Sequence, residues 1–126
     1  MTGLPSLLGA ITAILQSHPV CRHVTILETK EFSPEQFFFK VRAVTPEGFN
    51  FQLRIYHNSG HIDYAYQLFS DEPLLRWDNK EEFHHLDSYP HHHHDDKGNV
   101  TVSPLNGDPM QDLPMVLKRV EEYIRK

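Results

Sequence analysis

A chain of 126 residues with 39% hydrophobic and 23% charged residues is long enough for one core, which predicts a single domain over residues 1–126. Cys21 is the lone cysteine, so neither an internal disulfide nor a cysteine-based zinc site can form within the chain. The net charge of −5 excludes a generic basic nucleic-acid footprint; with no signal-peptide pattern and no long apolar run, a cytoplasmic protein without a membrane partner is expected.

In chain order, Leu4, Leu7, Leu8, Ile11, Ile14 and Leu15 recur at helical spacing, and His18-Pro19 ends that helix. A strand is expected near residues 22–32. The period then becomes two. Phe37, Phe39, Val41 and Ala43 alternate with polar or exposed partners, as do Phe49, Phe51, Leu53 and Ile55, and then Ile62, Tyr64, Tyr66 and Leu68. Thr45-Pro46-Glu47-Gly48 and Asn58-Ser59-Gly60 mark the turns between these runs. A further strand is expected near residues 74–78.

Leu113, Val116, Leu117, Val120, Tyr123 and Ile124 outline a last helix, with Asp112 able to cap its start and Arg125 and Lys126 suited to its negative end. The fold class predicted is α+β: a single antiparallel meander of about five strands, with N-terminal and C-terminal helices on its apolar face. His57 and His61 flank a hairpin turn and are expected near solvent. Cys21 is read as buried packing, and Tyr56, Tyr64 and Tyr66 as sheet packing.

The segment between the last expected strand and the last helix stands out. It holds six of ten histidines: His84, His85 and the run His91 to His94. Residues 71–98 carry eight acids against Arg76, Lys80 and Lys97, so the whole net charge of the chain lies here. A patterned stretch follows His94, which argues against a terminal tag. Unperturbed imidazoles titrate near a pKa of about 6.5, so protonation would reverse the segment's charge close to physiological pH.

Alternation puts Arg76 and Asp78 on the outward side of their strand, opposite Leu75 and Trp77, where Arg42, Arg54 and Asp63 would join them if register permits. Three readings of the histidine loop then compete. In one, His91, His92 or His94 take and give protons, Arg76 holds a phosphate and Asp78 orients an imidazole, the needs of metal-independent RNA cleavage. In another, His91, His92 and His94, with His84, His85 or Asp78, bind zinc or another divalent ion, since imidazole and carboxylate form a legitimate ligand set. In the third the loop is a solvated polar segment.

Tyr64-Ala65-Tyr66, Leu74-Leu75-Arg76-Trp77-Asp78-Asn79 and Tyr89-Pro90-His91-His92-His93-His94 together resemble the pattern of TumE-type toxins of prokaryotic toxin–antitoxin pairs. The resemblance implies a type II toxin held by a cognate antitoxin and acting on RNA or on translation. By matching position it carries over Arg76, Asp78, Asn79, His91, His92 and His94 as catalytic residues. Members of that family tend to have a histidine soon after Asp-Asn, whereas Glu81-Glu82-Phe83 intervenes here before His84-His85. The expected function is a ribonuclease-like toxin that needs no cofactor. The alternative, from a different class, is a non-enzymatic binding domain whose pH-sensitive histidine loop holds a partner or a metal ion.

Overall fold

The computed structural model describes residues 3–125, so the expectation that Lys126 complements a helix end lies outside the described residues. Helix α1 (Leu4–Ser17) ends at His18, whose extended backbone precedes Pro19. Leu4, Ile11 and Leu15 are its buried residues, at the spacing of one helix face.

Seven strands follow: β1 (Arg22–Ser33), β2 (Gln36–Val44), β3 (Asn50–Asn58), β4 (His61–Phe69), β5 (Pro73–Asp78), β6 (His92–His94) and β7 (Val100–Val102). They lie side by side in chain order, each antiparallel to the next. Helix α2 (Pro109–Ile124) completes the chain. The α+β meander with terminal helices stands, but with seven strands rather than about five. The two additional ones come from the expected histidine loop, in which His92 to His94 pair with Asp78 to Arg76 and then with Val102 to Val100.

Strict alternation in β2 and β3 buries Phe37, Phe39, Val41, Ala43, Phe51, Leu53 and Ile55 on one face. One apolar cluster joins these to Ile11 and Leu15 of α1 and to Leu113, Val116, Leu117 and Val120 of α2. Each Leu, Ile or Phe fully buried there contributes about 1.5–3 kcal/mol. Cys21 is buried in the same cluster, as are Tyr64 and Tyr66.

Two local expectations are corrected. Asp108, not Asp112, caps α2: its side chain accepts the Met110 N–H, and Pro109 occupies the first helical turn, where its missing N–H costs nothing. Asp112 lies one turn in, fully buried, and accepts the N–H groups of Asn106 at 3.0 Å and Gly107 at 2.8 Å. His57 is buried rather than near solvent. Its ring stacks on Phe37, 4.7 Å between centroids, and Nδ1 meets the Glu35 carbonyl at 3.0 Å.

Candidate active site

Asp78 ends β5 with its side chain on the face of the sheet away from the helices, yet it is only 5% exposed. Its Oδ2 accepts from Arg76 Nε at 2.7 Å, and its Oδ1 accepts from the Lys80 backbone N–H at 3.0 Å. Two imidazoles reach the same carboxylate from β6. His92 Nε2 lies 2.8 Å from Oδ1, and His94 Nε2 lies 3.9 Å from Oδ2. The sheet itself makes this cluster: Asp78 is opposite His92 and Arg76 is opposite His94, so all four side chains rise from one side of an antiparallel pair.

His92 is 1% exposed, and the Phe83 ring stands edge-on against it with centroids 4.7 Å apart. Its Nδ1 lies 3.2 Å from the Pro90 carbonyl. Its Nε2, though close to Asp78, has no well-directed hydrogen bond, because the carboxylate oxygen stands off the line of the ring N–H. His94 is the accessible imidazole of the pair, one third exposed. Burial holds His94 below the usual imidazole range, while the Asp78 carboxylate acts in the opposite sense.

The other histidines go elsewhere. His93 points to the helix side, stacked on Trp77 at 4.6 Å with Nδ1 3.1 Å from the Arg76 carbonyl. His91 has Nδ1 2.7 Å from the Tyr64 hydroxyl, and burial lowers its pKa while the Asp112 carboxylate raises it. His84 and His85 are exposed, and His84 stacks on Tyr89. Asn79 is fully engaged with β4: Oδ1 accepts the Tyr64 N–H at 3.0 Å and Nδ2 donates to the Ile62 carbonyl at 2.8 Å. Of the six residues expected to act together, Arg76, Asp78, His92 and His94 form one cluster. His91 and Asn79 lie outside its hydrogen bonds.

A cleft of about 660 Å³ opens beside the cluster, with Arg76, Asp78 and Asn79 in its lining. Arg54 and Asp63, expected on this side if register permits, line it too, together with Tyr56 and Phe38, which no sequence pattern singles out. Register brings them there. Lys40, Arg54, Ala65, Asp78 and His92 form one cross-strand row, and Arg42, Gln52, Gln67, Arg76 and His94 form the next. The small Ala65 between Arg54 and Asp78 leaves the depression. A second cleft, about 440 Å³, shares Asn79 and His61 with the first and is lined by His91, Asn106 and Gly107. The cleft lining is nearly charge-balanced, with Arg54, Arg76 and Lys80 against Asp63, Asp78 and Glu81, and Lys40 and Arg42 lie farther along the same rows.

A family model described as Toxin TumE matches residues 11–124. The chain belongs to the TumE toxin family. That match covers nearly the whole described fold, from α1 to the end of α2, and extends well beyond the quarter of the chain that carries the motif resemblance. No curated protein and no solved structure matches it. For a TumE-family toxin an antitoxin partner is implied in general. Among the described residues no helix is long and apolar enough to cross a membrane.

Proposed function

We propose that the chain is the toxin of a type II toxin–antitoxin pair and that it cleaves RNA at the Asp78 cluster by proton transfer without a metal. One observation carries this reading: a single buried carboxylate, Asp78, holds an arginine and stands within ion-pair distance of two imidazoles at the edge of a cleft. RNA supplies its own nucleophile, the 2′-hydroxyl. Its proton must be taken as the oxygen attacks phosphorus, and the leaving 5′-oxygen must receive one.

His94, the solvent-accessible imidazole beside Asp78, takes the first proton. Arg76 sits beside it and neutralises the charge that builds on the phosphoryl oxygens. Asp78, itself fixed by the Lys80 N–H, orients Arg76 through its Nε hydrogen bond and favours the imidazolium that His94 becomes. His91 serves the leaving oxygen from the adjoining cleft, in contact with Tyr64, which lines the first. Phe38 and Tyr56 offer rings on which an unpaired base can stack, and Arg54 a second phosphate contact.

The test is expression of the wild type and of His94→Ala, His91→Ala and Arg76→Ala, read as growth arrest, together with cleavage of RNA by purified protein in EDTA. The proposal expects arrest and EDTA-resistant cleavage from the wild type, and at least about a 100-fold loss in each variant, the lower end of what a positioned acid or base supplies. Cleavage that survives His94→Ala, or that EDTA abolishes, overturns it.

A further inference from the structure

A close approach that is not a hydrogen bond needs a cause. His92 Nε2 is 1% exposed at the residue level and 2.8 Å from Asp78 Oδ1, yet it is left without a directed partner. A ring nitrogen and a carboxylate oxygen that served each other alone would line up. When both instead converge on a third point they stand close but misaligned, which is the arrangement of two ligands to one metal ion. A third donor stands beside them: one ring nitrogen each of His92 and His94 and one oxygen of Asp78 all lie within 4.8 Å of one another. Donor atoms about 2.1 Å from a common ion in tetrahedral array stand roughly 3.4 Å apart. The 2.8 Å separation is to Asp78 Oδ1 and the 3.9 Å one to Oδ2, so each imidazole stands within reach of an ion held by the nearer carboxylate oxygen.

We infer that Asp78, His92 and His94 form a binding site for a divalent transition metal ion of the zinc class. Two imidazoles and one carboxylate select zinc, nickel or copper over magnesium or calcium, which prefer oxygen. His94, one third exposed, gives an ion a way in from solvent. Asp78 is held for the task by Arg76 Nε and the Lys80 N–H, and His92 by the Pro90 carbonyl on its other nitrogen, as outer partners hold metal ligands elsewhere. The Arg76 guanidinium opposes a dication, so affinity rests on the two ring nitrogens. His84, His85 and His91 are not ligands.

Metal binding does not depend on RNA cleavage. Its consequence does, and rests on the function proposed above: an ion on His94 Nε2 occupies the lone pair that would accept the proton, so the metal acts as an inhibitor. The test uses the full-length protein, freed of metal by EDTA and dialysis, titrated with Co²⁺ by visible absorption and with Zn²⁺ by calorimetry. One ion per chain is expected, with the ligand-field absorption of a low-coordinate cobalt site. His94→Ala, which removes a partly exposed ligand and leaves the buried pair, should lower the affinity by more than about 10-fold, the loss that even an outer-partner change produces. A His84→Ala/His85→Ala variant should bind as the wild type does.

Absence of binding, or affinity unmoved by His94→Ala and lowered by the His84/His85 change, overturns the site and marks the histidines as adventitious binders. The two proposals fail separately. One equivalent of metal with no RNA cleavage leaves this site standing and removes the ribonuclease, whereas cleavage indifferent to zinc in a chain that binds none does the reverse.

Discussion

Asn79 Oδ1 accepts the backbone N–H of Tyr64 at 3.0 Å, while its amide nitrogen donates to the Ile62 carbonyl at 2.8 Å. One side chain thus continues the β4–β5 ladder past the point where β5 stops. Asn79, 7% exposed, is the partner of both backbone groups, and Asn79→Ala removes it at a cost of about 1–3 kcal/mol. Asn79→Asp keeps the acceptor but turns a carboxylate oxygen toward Ile62 O, and should destabilise as well. Urea unfolding checks both. Loss of toxicity in Asn79→Ala with unfolding unchanged to within about 0.5 kcal/mol would instead place Asn79 on the substrate.

Asp112 is expected to behave as a structural carboxylate. It is completely buried, and its two oxygens take the N–H groups of Asn106 and Gly107, pinning the turn that borders His91. Burial raises its pKa and the two N–H donors pull it back down. Asp112→Asn substitutes a donor for one acceptor and should cost about 1–3 kcal/mol, with Asp112→Ala costing at least as much. Denaturant midpoints measure the loss. Equal stability in Asp112→Asn would contradict the assigned role.

Cys21 gives a pH dependence with a definite sign. Burial pushes its thiol up to about 12 from 9.0. The folded-state pKa is raised, so the contribution is complete below about pH 9 and is lost as pH climbs toward about 12, because the unfolded chain sheds a proton that the native chain keeps. Denaturant midpoints of the wild type should fall relative to those of Cys21→Ala across that interval. At pH 8 the native thiol should resist a thiol reagent and react after unfolding. Rapid labelling of the folded protein would refute the burial argument.

The fold was legible wherever residue type changes with side-chain direction. Phe39, Val41 and Ala43 alternate with Lys40 and Arg42, so the period announces the strand and its buried face. The run His92 to His94 hides the same geometry, because three identical residues show no alternation even though His93 stacks on Trp77 while its neighbours turn to Asp78. A hairpin signal was nevertheless present after it. Asp95 accepts the N–H groups of Lys97 and Asn99 at 2.9 Å, and Gly98 takes φ +83°.

The outward side of Arg76 and Asp78 could be read from alternation alone. Their neighbours could not: the row from Arg42 through Gln52 and Gln67 to Arg76 depends on the registers of three hairpins, which side-chain period does not set. Asp108 was overshadowed by Asp112 as a cap, although Pro109 next to it marks the first helical position.

Strand order in the sheet repeats strand order in the chain, with no crossover anywhere. During synthesis each hairpin can therefore close against the one already made, and the Arg76–Asp78 pair can assemble while residues 92–94 are still inside the ribosome. A nascent or prematurely terminated chain that stops before β6 carries the carboxylate without its imidazoles, so the Asp78 cluster becomes complete only in the last third of translation.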